Sequence, residues 1–365
     1  MTNKLSNRPL IIDAHLDLAM NAIDWNRDLR QSVEVIRRRE KGQTDKLDRE
    51  KGVVSLPALR EGRIGVVVAT QIARYVAEGS DLPGWHSPHQ AWAQSQAQLA
   101  WYRAMEEEGE MVQITNIGEL DRHIQLWEDQ DTPDSTKPIG YILSLEGADS
   151  LITLDHLDRS YADGLRALGP AHYGPGRYAD GTGMSGPLHQ SGRELLRKMN
   201  ELNIILDVTH LTDEGFEEAL DIFHGPVWAS HHNSRTLVNH QRQLTDDQIK
   251  RLIDRDAVIG GSLDVWMMVS GWTRGVSDPV KDGAPLERIL DHWDHICQIA
   301  GNADHIAIGS DLDGAFGKEQ CPHDLETIAD LQNLPAMLQK RGYHVDDIHK
   351  IMHGNWYRFL QKAWK

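Results

Sequence analysis

Short apolar runs alternate with longer helix-like stretches along the chain, and this alternation limits its folds more than any other feature. Eight runs read as strands: Leu10–Ala14, Gly65–Thr70, Ile139–Leu145, Leu165–Leu168, Ile204–Val208, Val227–Ala229, Val258–Leu263 and His305–Gly309. Helix-like stretches lie between them: His89–Glu107, Gly118–Glu128, Leu188–Leu202, Thr212–Phe223, Thr245–Asp254 and Pro285–Ile299. Asp324–Lys340 and Val345–Trp364 follow the last run. Strands alternating with helices build a parallel sheet covered by helices. Eight such units predict a closed (β/α)8 barrel of the TIM type, in the α/β class, rather than an open sheet. The fourth run, Leu165–Leu168, also reads as the end of a helix. Residues 1–365 are read as one barrel domain. Helical insertions follow strand one (Trp25–Leu59) and strand two (Val76–Pro88), and the extra helices are C-terminal. Arg37–Arg39 in the first insertion is flanked by Glu34, Glu40 and Asp45 and reads as a solvated helix face.

A barrel of this kind keeps its chemistry at the C-terminal ends of the strands. Five of the eight runs end in ligand-type residues. The first ends in Asp13-Ala-His15-Leu-Asp17, the third in Ser144-Leu-Glu146-Gly and the fifth in Asp207-Val-Thr-His210. The sixth ends in Ser230-His231-His232 and the eighth in Gly309-Ser-Asp311-Leu-Asp313-Gly. His15 and Asp17 are two apart, so on a strand they face the same way and suit one metal ion. His210 and His231 come from neighbouring strands and suit a second ion. Glu146 lies between them in barrel order and could bridge both. Each piece alone has a plain structural reading, such as a helix cap for a Glu before Gly. Their joint placement at strand ends is what favours a metal site. Nitrogen and oxygen donors without thiolate suit zinc, and also manganese or cobalt.

Composition removes other classes. The 38 Lys+Arg against 55 Asp+Glu give a net charge of −17, which argues against nucleic acid or an anionic membrane as partner. Cys297 and Cys321 are the only cysteines, too few for a disulfide scaffold. No apolar run is long enough to span a membrane. Met1 to Pro9 is polar, without a signal-peptide core, so a reducing, cytoplasmic setting is expected. Gly181-Thr-Gly183-Met-Ser-Gly186 matches a dinucleotide fingerprint in letters only, because no strand directly precedes it. It reads instead as a loop over the barrel mouth. Most of the 11 Trp read as packing, with Trp85 and Trp266 in loops near that mouth.

The strand-end motifs, in this order, resemble those of the renal (membrane) dipeptidase family of the amidohydrolase superfamily. The resemblance runs from Ile11 to about Leu360 and includes His353-Gly-Asn355-Trp near the C-terminus. The His-x-Asp pattern on the first strand is its most specific element. The resemblance implies two zinc ions per chain, with His15 and Asp17 on one, His210 and His231 on the other and Glu146 bridging. It further implies hydrolysis of dipeptides by a bridging hydroxide, including those with a C-terminal D-residue, and a homodimer. His172 and Asp311 map onto catalytic and substrate-binding positions, and Arg242 onto a substrate-binding one. Some letters depart from the family: Ala14, Leu16, Ala148-Asp149 and the loop Tyr173–Ala179. None of them removes a metal ligand. Two other readings stay open, another amidohydrolase-type amide or ester hydrolase (a deacylase or lactonase) and a non-catalytic metal-binding barrel. His232 is expected to face away from the site.

Overall fold

The computed structural model describes residues 8–365; the first seven positions of the polar N-terminal stretch lie outside the described residues. All eight predicted runs are strands, and a ninth is added. They are β1 (Ile11–Leu16), β2 (Ile64–Ile72), β3 (Met111–Gln113), β4 (Ile139–Glu146), β5 (Leu165–Gly169), β6 (Ile205–Asp207), β7 (Val227–Trp228), β8 (Ile259–Gly261) and β9 (Ile306–Ile308). The strands pair in parallel in the order β1-β2-β4-β5-β6-β7, with the short β3 added to β4, and β8 pairs with β9. A bridge between Ala229 and Ile259 links β7 to β8. The ring returns to its start at the mouth, where Asp311 N donates to His15 O at 3.2 Å. Ser310 donates through both its backbone N and its hydroxyl to the Asp13 carboxylate. Asp13 is thus a closure residue of the curled sheet.

The strands read as nearly continuous apolar runs because both faces are covered, as parallel sheets require. Along β1 every residue is buried. Ile12, Ala14, Val66, Val68, Ile142, Ala167, Ile205, Trp228 and Ala307 form one apolar layer with Trp356, Phe359 and Leu360 of the helix Asn355–Ala363. The Trp356 indole donates to Ile308 O at 2.9 Å, so its polar edge is satisfied inside this layer. Residues of opposite parity, such as Val67, Tyr141, Leu143 and Leu145, pack in a second layer with residues of the surrounding helices. The predicted Asp324–Lys340 helix is shorter than expected: a 3-10 stretch, Ile328–Asn333, leads into Leu334–Arg341. Pro335 sits in the first turn of the latter, where its missing N–H costs nothing. Among the described residues no helix is long and apolar enough to cross a membrane.

The first insertion contains helices Val33–Arg39 and Leu56–Glu61, and it is more than a solvated appendage. Arg37 differs from the sequence reading: it donates to Gly52 O and pairs with Glu326, while Arg38 and Arg39 stay exposed. Deeper in, the buried Arg27 guanidinium donates to Glu40 (2.8 Å), Asp48 (2.9 Å) and Asn21 (2.7 Å) and lies 3.7 Å from Asp313. Asp313 also accepts the backbone N–H groups of Val53 and Val54. The insertion therefore grips the loop that carries Asp311. Arg27→Met would strip the buried Asp48 and Asp313 of their cation and leave Glu40 to Arg49 alone, at 2.8 Å. It is expected to lower unfolding stability by about 3–5 kcal/mol, read from urea denaturation. A loss under 1 kcal/mol, by the same scale of about 0–1 kcal/mol for exposed pairs, would show that the network is solvated.

Candidate metal and substrate site

The strand ends bring His15, Asp17, Glu146, His210, His231 and Asp311 together at one mouth. His15 Nε2 lies 3.6 Å from Glu146 Oε1, 3.9 Å from Asp17 and 3.9 Å from Asp311. His210 Nε2 and His231 Nε2 approach the same Glu146 Oε1 at 3.2 and 3.5 Å. The donor atoms form overlapping groups: His15, Asp17 and Glu146; Glu146, His210 and His231; and His15, His231 and Asp311. Glu146 is common to the first two.

Local chemistry aims these side chains. Gly147, after Glu146, has φ +76°, and a Cβ there would meet His172 Cβ at 3.2 Å, so the turn out of β4 needs glycine. Asp207 accepts Thr209 N, Thr209 Oγ1 and Ser230 N, tying the ends of β6 and β7 together. His210 holds φ +71° beyond that knot. Its Nδ1 meets Thr182 Oγ1 at 2.9 Å, so the Gly181–Gly186 loop serves this histidine rather than a dinucleotide. His231 Nδ1 meets Ser230 Oγ at 2.9 Å, and Thr70 Oγ1 bonds Asp17. With each Nδ1 engaged, the Nε2 atoms are left to face Glu146, the arrangement that orients histidine ligands. His232 turns away: its Nδ1 lies 3.4 Å from Thr209 Oγ1 and its backbone N donates to Gly260 O.

Burial alone would raise Glu146, but His15 and His172 hold its carboxyl well below the usual range. Burial opposes charge on His15, yet Glu146, Asp17 and Asp311 lift it to about 10. Burial, then Arg242, lowers His210 to about 3, so it is a free-base donor at neutral pH. Asp17 rises to about 6 through burial and then Glu146. The cluster draws a positive charge onto His15, as a crowd of carboxylates must. His15 Nε2 is also buried without a hydrogen-bond partner among the described residues. These observations fit a divalent cation on nitrogen and oxygen donors. A ligating His15 must be neutral, so cation binding at pH 8 is expected to release a proton. Calorimetry in buffers of different ionisation enthalpy reads this directly; no proton release would mean His15 is already neutral.

A cavity of about 560 Å³ opens over the cluster. Arg242 reaches it from the segment after β7. Its Nη2 donates to His231 O at 3.0 Å, while its buried Nε and Nη1 have no partner among the described residues. His172 lies beside the cluster, its Nε2 3.8 Å from Glu146 Oε2. Trp266 lines the cavity, whereas Trp85 instead pairs its backbone with Arg74 and Val76. Sequence reading missed Arg74, Tyr173, Asp264 and Arg274 in the wall. Burial lifts the Asp264 carboxyl to about 7 against a hydrogen bond from Gln320. Asp264 follows the run Val258–Leu263, so the strand-end rule would have found it.

The chain is similar to several known proteins. A sequence profile of the membrane dipeptidase family (peptidase family M19) matches residues 1–365. An uncharacterized protein in the pqqA 5'region of Klebsiella pneumoniae is 30% identical over 218 residues, 57% of this chain and 76% of that protein. The dipeptidase tcpJ of Claviceps purpurea is 30% identical over 232 residues, 61% of this chain and only 52% of the relative's length. A metallo peptidase from Rhodobacter sphaeroides, solved with a phosphinate mimic of the dipeptide L-Ala-D-Ala, shares the fold with a TM-score of 0.76 at 22% identity. The alignment covers 98% of this chain and all of that one (100%).

Proposed function

The chain belongs to the membrane dipeptidase family of peptidases, and from that premise we propose that it hydrolyses dipeptides at a binuclear zinc site. In this reading His15 and Asp17 would hold one ion and His210 and His231 the other, with Glu146 shared between them. Manganese or cobalt would suit the same donors. When bound, such ions would supply a water of lowered pKa and Lewis-acid polarisation of a carbonyl.

The observation that carries the choice of substrate is Arg242. Two of its nitrogens are buried, unpartnered and in the wall of the cavity that holds the cluster. Burying unpaired guanidinium N–H groups is costly, and a carboxylate would take Nη1 together with the second N–H of Nη2 as a two-point pair. A free carboxylate one residue beyond the scissile bond would reach it, which is the definition of a dipeptide. The fork reads the carboxylate and not the configuration of the carbon bearing it, so the proposal includes dipeptides with a C-terminal D-residue. Asp311, in the same wall, accepts the proton of the attacking water and delivers it to the leaving nitrogen. His172 meets the carbonyl oxygen as charge develops on it.

Arg242→Ala is expected to raise KM for dipeptides about 30- to 300-fold, since a charge-assisted bidentate pair is worth roughly 2–3 kcal/mol. Wild type should also lose efficiency by a comparable factor on a C-terminally amidated dipeptide. Equal cleavage of the amide and the acid would sink the clamp and favour a deacylase or lactonase.

A further inference from the structure

Arg74 lies two residues beyond the end of β2, in the cavity wall. Its Nη1 donates to Pro83 O at 2.8 Å, and its Nη2 contacts His172 Nδ1. One N–H of each terminal nitrogen is thereby committed to Pro83 and to His172, and Nε lacks a partner among the described residues.

The contact decides where the His172 ring proton sits. A guanidinium has only donors. An N–H aimed at Nδ1 requires a lone pair there, since a protonated Nδ1 would set hydrogen against hydrogen. The ring proton must then be on Nε2. That nitrogen is the one 3.8 Å from Glu146 Oε2, on the side of the metal cluster. Packing against Tyr173 (ring centroids 5.0 Å apart) and His210 (4.5 Å) fixes the plane of the ring but is indifferent to the tautomer.

We infer that Arg74 is a positioning residue that holds His172 as the Nε2–H tautomer, so that the ring presents a donor to the carbonyl oxygen of the substrate. The other tautomer would turn a lone pair toward an oxygen gaining negative charge, replacing attraction with repulsion. The assignment of the carbonyl to His172 rests on the dipeptidase reading above; the assignment of the tautomer does not.

The test uses ¹⁵N-histidine-labelled protein as purified, with the His172 signals identified by their loss in His172→Gln. The expected wild-type spectrum has His172 Nδ1 in the unprotonated imidazole range and Nε2 in the protonated range. Arg74→Met should mix or reverse these shifts, and Arg74→Lys, which still donates, should restore them. On the best dipeptide, Arg74→Met should lower kcat about 10- to 100-fold with KM within about twofold, below the 10²–10³ seen when a whole oxyanion donor is removed. A protonated Nδ1 on His172 in wild type overturns the inference. A wild-type pattern that persists in Arg74→Met removes Arg74 as its cause. If no dipeptide is cleaved, the dipeptidase reading falls while the spectrum still decides the tautomer.

Discussion

Asp311→Asn is expected to leave the bound metal unchanged and to lower kcat by about 10²–10⁴, the usual worth of a general acid–base group. Asparagine has the same shape and keeps an oxygen toward His15. Asp311 occupies the left-handed region at φ +59°, which asparagine tolerates better than most residues. The backbone bond from its N–H to His15 O also survives the change. What is lost is the carboxylate that, in the proposed reaction, takes up and releases the proton. Asp311 also forms a possible donor group with His15 and His231, so metal analysis must accompany the kinetics. A fall in metal content would make Asp311 a ligand, and near-normal kcat would remove it from the proton path.

Glu146→Gln is expected to have the largest effect on the metal centre. Three imidazole Nε2 atoms lie within 3.2–3.6 Å of its Oε1. Glutamine offers one acceptor oxygen and one NH₂, so it cannot serve two ions with two oxygens. Metal content should fall to about one ion or fewer per chain, by the rule that structural and catalytic sites follow ligand count, and dipeptide cleavage should fall below detection. The fold should survive, because glutamine keeps the shape of the side chain and the buried His15 can shed its proton once the carboxylate is gone. Full occupancy with preserved cleavage in Glu146→Gln would end the bridging role.

Much of this arrangement was legible because parallel strands buried on both faces leave continuous apolar runs. The eight runs bounded by turn residues gave eight strands, including the ambiguous Leu165–Leu168, extended here to Gly169. The ninth, Met111–Gln113, has three residues and only one of them buried, too little for any periodicity to register. The π-helical turn Lys350–Gly354 left no trace in the helix-like pattern that spans it. Strand-end histidines and carboxylates were readable because barrel topology fixes where such residues converge. Arg74 was not, because a single arginine after Ile72-Ala73 carries no pattern. Its meaning comes from His172, 98 residues away. The same holds for Arg27, whose buried partners Glu40, Asp48 and Asp313 look like ordinary surface charges until the chain folds.

The most direct test of the central claim is the metal content of the purified protein, paired with cleavage of an L,L- and L,D-dipeptide panel before and after chelation. The account predicts close to two divalent ions per chain, as two ligand groups sharing one carboxylate imply, and cleavage that chelation abolishes and metal restores. Dipeptide cleavage that survives complete removal of metal would contradict it.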